Sequence, residues 1–241
     1  MTEDLHGAAV KSRRLRRCAV GLIVAGALSI WLAPKCLQAV GEVLVADEAA
    51  SAPDAVVTFS GDKRYEYVAQ LAKGKRECRV VVLKHARSRL ETAGIIRCEN
   101  EVEIEQIIKA GVPREAIVTL ESEAYRDDWD DVRVLGDWVS REDAGCVVVL
   151  TSRFCSSTVR YVLDRQVSPT VAGRVHIKSL KDRRFDETNW WRSRMGIKEC
   201  LSAYLSFVYH RIAGPPASRY EDRWDPDEYE RSLQQKMSRQ G

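Results

Sequence analysis

The sequence predicts an α/β fold in which helices cover both faces of a central, mostly parallel, five-stranded sheet, preceded by one transmembrane helix. Strand-like apolar runs alternate with helical patterns about five times along the chain, which is typical of parallel sheets. The run at residues 146–150 has no polar residue, as expected of a strand buried on both faces. The stretch at residues 18–33 carries no charge, which predicts the membrane helix.

Five short segments rich in β-branched and aliphatic residues are predicted to be strands. They are residues 54–59, 79–83, 116–120, 146–150 and 174–177. Strands that alternate with helices are joined by right-handed crossovers, which makes neighbouring strands parallel.

Between these strands, apolar residues recur at helical spacing. The predicted helices are residues 65–73, 98–110, 127–139, 156–166 and 190–212. The second helix ends before Gly111 and Pro113, a common way for a helix to stop. With helices on both faces of the sheet, residues 54–213 form one three-layer domain, and residues 214–241 form a polar C-terminal tail.

The N-terminal region predicts a single-pass membrane protein with an extracytoplasmic body. Residues 1–17 are a tail with five basic and two acidic residues, and the positive-inside rule keeps such a tail in the cytoplasm. The anchor extends over residues 18–40 if Lys35 reaches the lipid interface, and residues 41–53 form a small, acidic linker. A cleaved signal peptide is the alternative, because residues 46–52 are rich in small side chains.

The charge distribution argues against a nucleic-acid partner. The chain has 38 basic and 35 acidic residues, and the surplus lies in the N-terminal tail, so the body is neutral. Nucleic-acid-binding domains carry a clear excess of Lys and Arg. The expected partners are therefore the membrane, through the N-terminal helix, and a small anionic ligand.

The seven cysteines, at positions 18, 36, 78, 98, 146, 155 and 200, are scattered. No CxxC pair or Cys/His cluster has metal-ligand spacing, so no zinc site is predicted. In an exported body, a disulfide between Cys78 and Cys98 is an alternative to simple buried thiols.

Polar residues follow the first and fourth predicted strands at the points where these strands end. Ligands of open parallel sheets bind beyond the carboxyl ends of the strands. Ser60, Gly61 and Arg64 follow the first strand, where a glycine lets a ligand approach the backbone and an arginine can reach an anion. Thr151 and Ser152 follow the fourth strand, and their hydroxyls suit a phosphate or carboxylate. A solvated surface side chain is the alternative interpretation of Arg64.

Cys155 supports two interpretations. A thiol at a helix N-terminus can be a nucleophile with a lowered pKa, or it can be buried and inert. No His or Asp partner can be placed beside it. The four histidines, at positions 6, 85, 176 and 210, are dispersed, which argues against a histidine-based site.

Three acidic residues, Glu99, Asp127 and Asp130, are candidates for catalysis. Asp127 and Asp130 follow the third predicted strand, where carboxylates could act as acid and base or hold a metal. Acidic residues also cap helices and complement the helix dipole, and this structural interpretation is favoured.

The order and spacing of several segments resemble the YdcF-like family, which includes cell-envelope proteins of the SanA and ElyC type. The resemblance spans residues 54–212. It is carried by residues 54–61 with Arg64, Glu99 leading to Gly111 and Pro113, Glu121 before an acidic helix, residues 149–152 with Phe154, and residues 189–191. It implies a Rossmann-like domain behind one membrane helix.

Some polar positions depart from the family pattern. Cys155 and Thr158 stand where the family has a His and a nearby Arg, and Arg160 is a stand-in for that Arg. His85 and its two predecessors replace a Ser-Gly-Gly turn. These replacements favour a binding protein or a scaffold over an enzyme.

The resemblance implies an envelope biogenesis or barrier factor with a nucleotide-like or adenosyl-methionine-like ligand. The expected ligand-binding residues are Ser60, Gly61, Arg64, Glu99, Thr151, Ser152, Cys155 and Arg160. A transferase or hydrolase that acts on an envelope precursor is one alternative, and a degenerate, non-catalytic scaffold is another.

Overall fold

The fold is built on a sheet of five strands, all of them parallel. The computed structural model describes residues 31–48, 50, 52–59, 64–73, 77–122 and 128–215. In spatial order the strands are β3 (Ile117–Glu121), β2 (Arg79–Lys84), β1 (Ala55–Thr58), β4 (Val147–Ser152) and β5 (Val175–Leu180). The predicted α/β class and five strands are confirmed, and the sheet is wholly rather than mostly parallel.

β1 and β4 form the centre of the sheet. Ala55 of β1 aligns with Arg79 of β2 on one side and with Val147 of β4 on the other. Every residue of β1 is buried, as are the first five of β4, because helices cover both faces. Val, with its branched β-carbon, suits this doubly covered pleated surface.

Helices connect the strands; five of those described lie close to predicted helices, whereas the two four-residue helices were not predicted. They are α1 (Tyr65–Lys73), α2 (Arg89–Thr92), α3 (Glu99–Lys109), α4 (Asp128–Arg141), α5 (Ser156–Gln166), α6 (Pro169–Ala172) and α7 (Arg194–Ala213). One prediction is corrected: residues 190–212 are not one helix. A 3-10 turn (Trp190–Arg192) precedes α7, because the Ser193 Oγ accepts a hydrogen bond at 2.9 Å from the N–H of Gly196 and starts a new helix there.

Two apolar clusters lie on opposite faces of the sheet. Val57 and Val149 face α4 and α5, where Leu135 and Val162 are fully buried. The alternate residues on the strands, among them Val56, face α1 and α3 in a second cluster. Because successive side chains of a strand point to opposite faces, two layers of helices enclose the sheet.

A third apolar cluster attaches the residues before β1 to the body. Residues 31–43 are helical and are called the N-terminal helical segment. The indole Nε1 of Trp190 donates a hydrogen bond at 3.0 Å to the carbonyl of Leu37. Leu44, which follows the segment, is fully buried in a cluster with Trp190, Cys200 and Ala203 of the body.

Residues 41–53 were predicted to form a linker, and in the part that the structure describes they contact the body. The N–H of Ala46 donates to the Ser156 hydroxyl, and the N–H of Glu48 donates to the carbonyl of Ile177. The acidic residues that suggested a linker instead pair with basic side chains of the body; Asp47, for example, lies 3.1 Å from Lys178 Nζ. The segment is therefore docked against α5 and β5.

Parts of the predicted membrane topology fall outside the described residues. The basic tail 1–17, residues 18–30 of the predicted anchor and residues 216–241 of the predicted C-terminal tail lie there. Within the part that is described, no helix is long and apolar enough to cross a membrane.

Candidate functional site

The centre of the sheet contains a topological switch point. From β1 the chain proceeds to β2 and β3 on one side, whereas β4 and β5 lie on the other. The helices that follow β1 and β4 therefore leave on opposite faces and open a crevice at the carboxyl ends of these strands. This is the edge at which the sequence predicts a ligand.

A cavity of about 940 Å³ opens on the β4–β5 side of this edge, between the carboxyl ends of these strands and α7. We call it the basic pocket. Its charged lining residues are Arg64, Arg153, Lys181, Arg183 and Arg184 against Asp182 and Glu199, and its neutral polar residues are Ser152, Cys155, Ser202 and Ser206. Of the predicted ligand-binding residues, it brings together Arg64, Ser152 and Cys155.

Arg64 connects the two halves of the sheet edge. It directly precedes α1, on the connection from β1 to β2. Its Nη1 donates a hydrogen bond to the carbonyl of Lys181, the residue after β5. The guanidinium thus lies beside the β5 end of the pocket, although Arg64 is 117 residues away from Lys181 in sequence.

Arg153 has a largely structural role in the pocket wall. It donates from Nε and Nη2 to Glu187 at 2.8 and 2.6 Å, and from Nη1 to the Ser179 hydroxyl at 2.7 Å. The bidentate pair with Glu187 is the chief reason that the pKa of Arg153 is raised and that of Glu187 is lowered. The charge of Arg153 is therefore compensated within the protein.

The loop after β5 supplies the charge that remains. Arg184 is paired with Asp182 through Nε and Nη2, both at 3.0 Å, and Lys181 Nζ lies 3.5 Å from Asp186. Arg183 is exposed and forms no hydrogen bond or ion pair with the described residues. It is the pocket cation best placed to receive an anion from solvent.

The residues that follow β4 lie at different depths. Thr151 is fully buried, and its Oγ1 has no hydrogen-bond partner in the described structure. Ser152 is half-buried and lines the pocket. Burial raises the pKa of the Cys155 thiol, and a hydrogen bond with Ser152 only partly opposes this effect. This shift is opposite in direction to the lowered pKa that an activated nucleophilic thiol requires.

Other predicted site residues are absent from this pocket. Ser60, Gly61 and Asp127 lie outside the described residues. Arg160 does not stand in at the carboxyl edge, because its Nη1 donates at 3.0 Å to the carbonyl of Val175, at the amino end of β5, and lies 3.4 Å from Glu48.

The two remaining acidic candidates lie on the β2–β3 side of the edge. Glu99 is the first residue of α3, and its N–H donates at 2.6 Å to the carboxylate of Glu91. Asp130 is buried, and it accepts hydrogen bonds from the Ser122 hydroxyl at 2.9 Å and from Arg133 Nη2 at 2.7 Å. These bonds hold the start of α4 on the end of β3.

A histidine–carboxylate pair, which the sequence reasoning missed, also lies on that side. The Nε2 of His85 is 2.9 Å from Oδ2 of Asp131, which is buried at the start of α4. His85 lines a second cavity of about 600 Å³ with Cys98, Asn100 and Glu121. The available signal was that His85 directly follows one strand and Asp131 opens the helix after the neighbouring strand.

Neither a disulfide nor a metal cluster is found in the described part of the chain. Cys78 and Cys98 do not form the disulfide that was considered between them. No group of three or more His, Cys, Asp or Glu side chains within the described ranges is arranged to hold a metal ion.

In comparisons with known proteins, no protein-family model matches the chain, and no curated protein matches it.

Proposed function

We propose that this protein is a membrane-anchored, YdcF-like factor of the cell envelope whose Rossmann-like body lies outside the cytoplasm and binds a small anionic ligand in the basic pocket. The observation that carries the proposal is the excess of basic over acidic side chains in a cavity beside the switch point, with Arg183 exposed and unpaired among the described residues. An open cavity at this edge supports ligand binding over a degenerate scaffold.

The ligand class follows from the size and charge of the basic pocket. About 940 Å³ lies within the usual range of small-molecule sites and has room for a nucleotide. Adenosyl-methionine carries a sulfonium cation, which the unpaired Arg183 disfavours, whereas a phosphate can accept hydrogen bonds from Arg183 and Lys181. A nucleotide-like or other phosphorylated ligand is therefore favoured over an adenosyl-methionine-like one.

Titration of the full, detergent-extracted chain tests the proposal. Binding of two probes, inorganic phosphate and adenosine monophosphate, is measured by calorimetry at low and high salt. In a separate experiment, native mass spectrometry identifies any anion that co-purifies with the protein. We expect saturable binding of at least one probe that weakens as salt rises, because salt screens exposed charges. The absence of both saturable binding and a co-purified anion would refute the proposal.

A hydrolase or transferase is the second candidate function, and the His85–Asp131 pair favours it. A buried carboxylate that holds one imidazole nitrogen orients the ring as a general base, as in many hydrolytic sites. His85 lines its own cavity, so this activity would be separate from the basic pocket.

The enzyme candidate is tested with chromogenic phosphate and acetate esters. If it is correct, the wild-type chain hydrolyses one of them, and His85→Ala removes the activity while the circular dichroism spectrum stays unchanged. Hydrolysis that persists in His85→Ala, or its absence from the wild-type protein, excludes a hydrolase centred on His85.

A further inference from the structure

Helix α7 has three chemically different sides. An α-helix turns about 100° per residue, so residues three and four apart share a side. Cys200 and Phe207 point into the third apolar cluster, and Ser202 and Ser206 line the basic pocket. The remaining side carries Leu201, Leu205, Val208, Tyr209 and Ile212, which are all exposed. We call these five residues the outer face of α7.

The outer face is unusually apolar for a protein surface. Leu205 is 73% exposed and Ile212 is 82% exposed. A helix that is apolar on its outer as well as its inner side is typical of one that contacts a partner or a lipid phase.

The N-terminal helical segment indicates that the partner is lipid. Its first residues, 31–33, are the end of the uncharged run that begins at residue 18. The segment packs against the third apolar cluster, to which α7 also contributes. At its start, Trp31 is 60% exposed, and Lys35 Nζ lies 4.1 Å from the centre of its ring. An exposed Trp beside a Lys is the residue pairing of a membrane–water interface.

The charges on the outer side of α7 suit an anionic lipid surface. By helical spacing, the charged residues on that side are Arg194 and Lys198, both exposed and basic. The nearby acidic residue Glu199 belongs to the pocket side. Basic and aromatic residues around an apolar stripe are typical of helices that lie in the plane of an anionic membrane.

We propose that the outer face of α7 rests on the anionic lipid bilayer that holds the N-terminal anchor. The inference rests on the membrane-anchor part of the proposed function and extends it from a tether to a docked body. Because Ser202 and Ser206 lie on an adjoining side of the same helix, docking places the basic pocket close to the lipid headgroups. A phosphorylated, lipid-borne ligand would then reach the pocket without leaving the membrane.

Site-specific photocrosslinking tests this arrangement. The full chain is placed in nanodiscs of phosphatidylcholine and phosphatidylglycerol, with benzoylphenylalanine at one of three positions. Leu205 probes the outer face. Ile95, at 69% exposure, is the matched control, since it lies in the loop between α2 and α3 on the β2–β3 side. Ile23 probes the predicted anchor itself.

We expect about tenfold more lipid adduct at Leu205 than at Ile95, because only side chains within the interface meet acyl chains. Lipid adducts at Ile23 but not at Leu205 would overturn the docked face and leave the anchor standing. The absence of lipid adducts at all three positions would overturn both the docked face and the membrane anchor. A protein–protein adduct at Leu205 would assign the face to a second copy of the chain and would also overturn the proposal. Phosphate binding by the basic pocket is measured separately in detergent, so its failure is distinct from each of these results.

Discussion

The guanidinium of Arg153 and the carboxylate of Glu187 form a bidentate ion pair with hydrogen bonds of 2.8 and 2.6 Å. Arg153 directly follows β4, and Glu187 lies in the loop between β5 and α7, so the pair fixes the pocket wall to the sheet. The side chains are only 13% and 11% exposed, so solvent screens the pair weakly.

Glu187→Gln should therefore destabilise the fold in a pH-dependent way. Because Arg153 lowers the pKa of Glu187 below its ordinary value of 4.5, the pair stabilises the protein above that pH, and this contribution is lost as the pH falls through the lowered pKa. We expect the free energy of unfolding to fall by about 1–3 kcal/mol at pH 7, with the difference from wild type narrowing in acid. Urea denaturation at several pH values measures it.

Glu142→Gln is the control for this experiment. Glu142 pairs with Arg79 at 2.6 Å and its pKa is also lowered, but the pair is exposed. Because solvent screens exposed ion pairs, Glu142→Gln should lower the free energy of unfolding much less than Glu187→Gln does. Equal effects of the two substitutions would show that the Arg153–Glu187 pair has no special structural role.

Because the hydroxyl of Thr151 has no partner in the described structure, we expect its removal not to destabilise the fold. Its Oγ1 is fully buried without a hydrogen-bond partner in the described structure, so Thr151→Val removes a polar group that has been desolvated without compensation. We expect the free energy of unfolding to stay constant or to rise by up to about 1 kcal/mol, which thermal unfolding would show as an unchanged or higher melting temperature. Thr58→Val is the matched control on the neighbouring strand.

Thr58 differs from Thr151 because its Oγ1 donates to Glu103 at 2.6 Å. Thr58→Val should lower stability by about 1–3 kcal/mol, since the Glu103 carboxylate loses a donor. If Thr151→Val also destabilises the fold, a water or ligand satisfies its hydroxyl. Weaker phosphate binding in that variant would then place Thr151 in the site.

Gly196 is a point at which α7 and the preceding turn touch. A Cβ at this position would lie 2.3 Å from the carbonyl oxygen of Trp190 and 2.9 Å from the Ser193 Oγ that caps the helix. Gly196→Ala should therefore cost about 1–3 kcal/mol from the clash, which exceeds the gain in helix propensity of about 1 kcal/mol. Thermal unfolding by circular dichroism measures the loss.

Gly173→Ala controls for a general effect of replacing glycine. A Cβ there would lie 3.4 Å from the carbonyl oxygen of Pro169 and 3.8 Å from that of Thr170, which are ordinary van der Waals distances, so no strain is expected. Equal melting temperatures for the two variants would contradict the predicted clash at the start of α7.

Arg183→Ala should weaken anion binding without affecting the fold. The side chain is exposed and has no partner among the described residues, so its removal leaves no buried charge behind. A charge-assisted hydrogen bond to phosphate contributes about 1.5–3 kcal/mol, and solvent exposure reduces this to roughly a tenfold change in Kd.

Arg141→Ala is the matched variant for this titration. Arg141 is also an exposed arginine, 68% exposed, at the last residue of α4, far from the basic pocket. Its loss should leave phosphate affinity unchanged. Equal weakening by both variants would indicate non-specific attraction to the surface and not a site.

The class of fold and the approximate positions of the five strands could be predicted from the amino-acid sequence alone. Runs such as residues 147–150 are apolar without alternation because both faces of the strand are covered, and that local pattern is legible without coordinates. The predicted bounds of α1 and α5 match the structure at both ends. The docking of residues 41–48 could not be predicted from the sequence. An acidic stretch has the same sequence pattern whether its carboxylates are solvated or paired with Lys178 and Arg153.

Which polar residues share a site depends on how the strands are arranged in the sheet, and the amino-acid sequence does not reveal that arrangement. Arg64 meets Lys181 because parallel strands bring their carboxyl ends to one edge, whatever their separation in sequence. Arg160 was predicted at the carboxyl edge of the sheet, but a long side chain on α5 can point toward either end. In the structure it donates a hydrogen bond to the carbonyl of Val175, at the amino end of β5. The His85–Asp131 pair forms for the same reason as the basic pocket: neighbouring strands juxtapose residues that spacing along the chain cannot relate.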